Sequence, residues 1–96
     1  MDQMERIMYM EQILNEAAEA VSSLSAAVET YAAVQDRLQE LAAYYGSDQW
    51  RQDFDDDSAG NLPPQLRRGV LSEDAVYDLL SENTRLKELL YHLLEQ

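Results

Sequence analysis

Apolar residues recur at every seventh position along the first half of the chain. Ile7, Leu14, Val21 and Val28 form one row. Met10, Ala17, Leu24, Tyr31, Leu38 and Tyr45 form a second, and Ile13, Ala20, Ala27, Val34 and Leu41 a third. Projected at about 100° per residue, the three rows merge into one apolar stripe on a helix. Gln35 and Ala42 end the first row, so the stripe drifts toward the third, as a straight helix drifts against a strict seven-residue repeat. The segment 2–45 holds no glycine and no proline. Its serines at 22, 23 and 25 are modest helix formers and could mark a break. The repeat passes through them in phase, however, and a loop would usually shift it. The pattern therefore predicts one helix over 2–45, roughly 43 residues and about 65 Å long.

A second periodic segment closes the chain. Ser72 stands where an N-cap belongs, Glu73 and Asp74 follow in the first turn, and Leu71 and Val76 have the spacing of a hydrophobic staple. Val76, Leu79, Leu80, Leu86, Leu89 and Leu90 then begin an apolar face that runs to the end of a helix over 73–95. Asn83 interrupts that face. It either fixes register against a partner helix or lies at the stripe's edge in water. The connecting segment 46–72 reads as short helical turns. Gly46 suits the position just past a helix end, and Ser47 can cap a short helix over about 48–55 with Trp50 and Phe54 on one face. Pro63-Pro64 opens another turn, which Arg67-Arg68 and Gly69 close.

These elements predict an all-α fold. The expected arrangement is a single domain over 1–96, an antiparallel helical hairpin of one long and one shorter helix, with the connecting segment folded over one end. The lengths do not match. The shorter helix spans roughly 35 Å, and a compact chain of this size has a radius of gyration near ~13 Å. Part of the long helix's stripe is thus expected to lie uncovered, at the N-terminal end. Met4, Ile7, Met8, Met10 and Leu14 are the candidate partner contacts there, and methionine suits adaptable contact surfaces.

Composition narrows the possible roles. Nineteen acids against seven Lys and Arg give a formal net charge of -12 over 96 residues, and Arg6 is the sole base before Arg37. Such a surface repels phosphate backbones and anionic headgroups, so direct binding to nucleic acid or membrane is not expected. There is no cysteine, hence no disulfide and no thiolate metal site. No apolar run approaches the ~20 residues that span a bilayer. The opening MDQMERIMYM carries acids where a signal peptide needs a basic region, so the expected location is cytoplasmic.

Candidate chemistry centres on one stretch, YYGSDQWRQDFDDDSAG over 44–60, with Asp53, Asp55, Asp56 and Asp57 as a candidate acidic surface. A calcium loop counted from Asp53 would need glycine at its sixth position and glutamate at its twelfth. Those positions hold Ser58 and Pro64. The aspartates would lie at a helix C-terminus, where the dipole disfavours acids, so they are expected to fray and end the short helix. Arg51, Arg67 and Arg68 are near enough to relieve the repulsion. A solvated loop with an arginine partner is the simple reading, and a surface for a basic partner the sharper one. Trp50, Phe54, Tyr44 and Tyr45 read as the plug of a small core before they read as a binding platform. His92 is the only histidine, and there is neither a cysteine nucleophile nor a glycine-rich phosphate loop. No catalytic, cofactor-binding or metal residues are expected, and no enzymatic activity.

The run YYGSDQW followed by DDDSAGNLPPQLRRGVLSEDAVYDLLSEN resembles a family of small acidic bacterial proteins, domain of unknown function number four-two-nine-eight. The likeness is carried by Tyr45-Gly46-Ser47, Trp50, the acidic run, Gly60, Leu62-Pro63 and Arg68 through Asp74. RIMYMEQILNEA and LQELAAYYG fit the family's opening helix. The resemblance implies a small helical domain and carries no activity or site residues. Together the observations point to a non-enzymatic protein-protein interaction module that works by helix packing, with itself or with another helical chain. The alternative is an acidic mimic of nucleic acid that blocks a basic protein groove.

Overall fold

The computed structural model describes residues 1–96 as three α-helices and one 3₁₀ turn, without strands. Helix α1 covers Gln3–Tyr44, α2 Asp48–Ser58 and α3 Glu73–Leu94, with the 3₁₀ turn at Gly69–Leu71. The contacts divide the chain into two units, Met1–Asp36 and Arg37–Gln96.

The first unit is helix alone. It begins one residue later than the periodicity suggests because Asp2 acts as a cap: its Oδ1 accepts the backbone N–H of Glu5 at 2.8 Å. The helix then runs unbroken through Val21–Ser25. Alanines flank the serines, and no glycine or proline interrupts the backbone. Thr30 bends its hydroxyl back onto the Ala26 carbonyl at 3.2 Å without ending the helix. Every residue from Met1 to Thr30 is exposed, and no residue of α1 is buried.

The second unit is built from short elements with explicit stops. Past the end of α1, Gly46 adopts φ +81°, a left-handed conformation that only glycine takes at little cost. Ser47 caps α2 by accepting the Trp50 N–H at 3.2 Å while donating to the Tyr44 carbonyl at 2.6 Å. Helix α2 extends through Asp55, Asp56 and Asp57 to Ser58, three residues beyond the expected end. The aspartates do not end it. Gly60 does, at φ +76°: its N–H bonds the Asp57 carbonyl at 3.0 Å and the Asn61 N–H bonds the Asp56 carbonyl at 2.9 Å, the paired closure of a Schellman motif.

Pro63 accepts the Leu66 N–H at 3.1 Å, which forms the expected proline turn. Gly69 opens the 3₁₀ turn where the sequence suggested that it closes a preceding one. Ser72 caps α3 as its position predicts, accepting the N–H groups of Asp74 and Ala75 at 3.3 and 3.4 Å. The two ends of the predicted staple, Leu71 and Val76, are the buried core of the chain, 6% and 4% exposed. Each contributes roughly 1.5–3 kcal/mol of hydrophobic burial. Both α2 and α3 rest on the 3₁₀ turn that carries Leu71. A helical face continues outward from the core at reduced burial: Leu80, Asn83, Leu86 and Leu90 on α3 are half-buried, as are Leu38 and Leu41 on α1 and Tyr45 just past its end.

Candidate functional site

Two regions carry the candidate residues. The first is the apolar face of α1. Met4, Ile7, Met8, Met10 and Leu14 are 73%, 58%, 68%, 56% and 60% exposed, so each keeps most of its side chain open. The face continues through Val21 and Leu24, also more than half open. All are positioned by the helical period, and every residue through Thr30 stays exposed. A solvent-facing helix of this kind is marginal in water, since most helical stability in proteins comes from packing an apolar face.

The second region surrounds α2. Helical spacing brings Trp50 and Phe54 together as stacked rings with centroids 5.2 Å apart, and Tyr45 meets Trp50 edge to face at 5.2 Å. The polar tips of Tyr45 and Trp50 are tied to backbone carbonyls. The Trp50 indole N–H donates to the Val70 carbonyl at 3.0 Å, and the Tyr45 hydroxyl donates to the Glu73 carbonyl at 2.6 Å. The aromatic group is therefore a plug that ties the connecting segment to both of its ends, and not an open platform.

The four aspartates separate in role. Asp53 accepts the Tyr44 hydroxyl at 2.6 Å. That hydrogen bond to a carboxylate, aided by desolvation and the carboxylate's charge, pushes the Tyr44 phenol up to about 12. Asp57 pairs with Arg68 at 2.6 Å, which supplies the arginine partner anticipated for the run. Asp55 is exposed and Asp56 half-buried, in a shallow patch shared with Asp48, Arg51 and Gln52. The side chains do not converge: no three of the chain's acidic and histidine side chains come together as metal ligands do. His92 is exposed and lies 3.5 Å from Glu95, one helical turn away. A small hollow lined by Leu62, Leu66, Val70 and Leu71, with Tyr44 and Asp53 at its wall, opens beside the plug.

Sequence reasoning singled out the aspartates and aromatics but not their pairing. Tyr44–Asp53, Asp57–Arg68, Trp50–Val70 and Tyr45–Glu73 are 9, 11, 20 and 28 residues apart. No helical or strand period connects such separations. The one available signal was chemical, since a tyrosine or tryptophan in a small core needs a partner for its polar atom.

The fold and these sites define a small all-α domain with a tied aromatic core and a long helix whose face is open. None of its helices is long and apolar enough to cross a membrane. The chain belongs to the family described as Domain of unknown function (DUF4298), whose model matches residues 7–94. No curated protein and no solved structure gives a significant match.

Proposed function

We propose that this protein is a non-enzymatic interaction module of the cytoplasm that binds another protein surface through the apolar face of α1. One observation carries the reading: from Gln3 to Thr30 an amphipathic helix buries nothing, although its stripe holds Ile7, Leu14, Val21 and Leu24. A contiguous apolar surface of this extent marks an interaction site. The half-buried faces of the second unit support an antiparallel packing of Leu38, Leu41 and Tyr45 along α3, and the Tyr45–Glu73 hydrogen bond fits that direction. On this reading the second unit anchors the module and the first unit binds. The acidic mimic has less support, because Asp53 and Asp57 are engaged within the chain and do not line up with Asp55 and Asp56 as a row of free charges.

The test is affinity capture from the native cell with three baits: the intact chain, a chain lacking the residues before Ile13, and the Leu14→Glu/Leu24→Glu variant. The intact chain should retain a protein, or further copies of itself, that the other two release. Equal capture by all three would sink the proposal.

A further inference from the structure

The proposed interaction leaves the occupant of the α1 face open, and the charges bordering that face identify it. We infer that the face is covered by a second copy of this chain, with the two α1 helices parallel and in register from Met4 to Val28.

The inference rests on the reading above and on three further observations. The first is the core pattern. With Ile7 at the first position of the seven-residue repeat, that row is Ile7, Leu14, Val21 and Val28, and the row three residues on is Met10, Ala17 and Leu24. The β-branched Ile7, Val21 and Val28 of the first row, with Leu24 in the second, favour two parallel strands.

The second is the edge pattern. Two paired helices meet at the positions flanking the core, the fifth and seventh of the repeat. Between Met4 and Ala27 these edges hold one base, Arg6, and one acid, Glu11. The other edge residues are uncharged, with Ala18, Ala20, Ser25 and Ala27 among them. The remaining acids of this stretch, Glu5, Glu16 and Glu19, lie off the seam. In a parallel pair the seventh position of one helix faces the fifth position of the next repeat on the other. Arg6 of each copy then meets Glu11 of its mate, twice by symmetry. In an antiparallel pair like positions face each other, and Arg6 never reaches Glu11. Neither residue has an ion pair within its own chain. A basic partner helix, by contrast, would need rows of acids along these edges, and the edges lack them.

The third is area. Ile7, Met10, Leu14, Val21, Leu24 and Val28 are each 48% to 69% exposed. Joining two such faces removes on the order of 1,200–1,500 Å² from water, within the range of stable interfaces.

The experiment uses the full chain. Light scattering and sedimentation equilibrium should give a dimer. Raising salt should strengthen it, because repulsion between chains of formal charge -12 is screened. Arg6→Glu and Glu11→Arg should each weaken dimerisation by about tenfold, and the double exchange should restore it. Since the chain has no cysteine, Leu24→Cys introduces a single thiol, which an added disulfide oxidant should cross-link to its mate at low protein concentration faster than it does an exposed control thiol off the seam at Glu16→Cys. A strict monomer would overturn the inference. So would a dimer in which Leu24→Cys cross-links no faster than Glu16→Cys, or one indifferent to the charge exchange. A monomer that still captures another protein in a Leu14- and Leu24-dependent way would overturn the second copy and leave the proposed function standing. A dimer unaffected by Leu14→Glu/Leu24→Glu would overturn the second copy on this face, and equal capture by all three baits would overturn the proposed function with it.

Discussion

The two units of this chain are both rich in apolar side chains, yet one buries two residues and the other none. The difference lies in what the apolar groups carry. Through Thr30 the first unit presents mainly Met, Ile, Leu, Val and Ala, whose attraction to other surfaces is non-directional. The second unit presents Tyr44, Tyr45 and Trp50, each an apolar ring ending in a polar atom, and each polar atom finds a named acceptor. Burial supplies the driving force in either case, but only the second set specifies what is buried against what. Through Thr30 the first unit buries none of its apolar face, and such a surface is free to be completed by another chain.

The largest effect should come from the core of the second unit. Leu71→Ala should destabilise the chain by about 2–4 kcal/mol in urea unfolding. Val21→Ala, measured where copies do not associate, should move stability by no more than about 0.5 kcal/mol. If the two substitutions cost the same in the monomer, the contrast between the units is broken. Next, Trp50→Phe keeps an aromatic ring but loses the donor to Val70, and should cost about 1–2 kcal/mol in the same assay. Ser72→Ala removes the cap that sets the start of α3, and about 1 kcal/mol should go with it.

The smallest effect sharpens the comparison through pH. The Tyr44 hydroxyl is held protonated in the fold, up to about 12 against an ordinary value of 10.0. The folded state therefore binds this proton more tightly than the unfolded chain does. Its contribution is complete below the unfolded value and is lost as pH rises from there toward 12. Tyr44→Phe should cost under about 1 kcal/mol at neutral pH, because the group is only half-buried. In alkaline melts the wild type should lose stability relative to the variant, and parallel melting curves would show that the bond to Asp53 contributes nothing.

Much of the chain was legible before its fold was known. The unbroken helix through Ser22 and Ser23, the caps at Ser47 and Ser72, and the Leu71–Val76 staple all follow from local rules, and the structure has them. The reading of Asp55, Asp56 and Asp57 as a helix stop was mistaken. The dipole penalty on exposed acids is at most about 1 kcal/mol each, and Gly60 offers a far cheaper ending two residues beyond Ser58. The membership of the family was visible in the loop residues from Tyr45 to Asp74, but a domain of unknown function carries no site residues with it.

The sequence alone determined the helices, their caps and the one stripe that runs along α1, because each depends on residues within a turn or two of one another. It also determined the formal charge of -12. Only the tertiary structure decided which carbonyls the aromatic plug is tied to, that Asp53 accepts from Tyr44, which arginine pairs with Asp57, and that Leu71 and Val76 are the core. Those choices join residues separated by loops whose path no local period encodes, and they are settled where polar atoms leaving water must find partners.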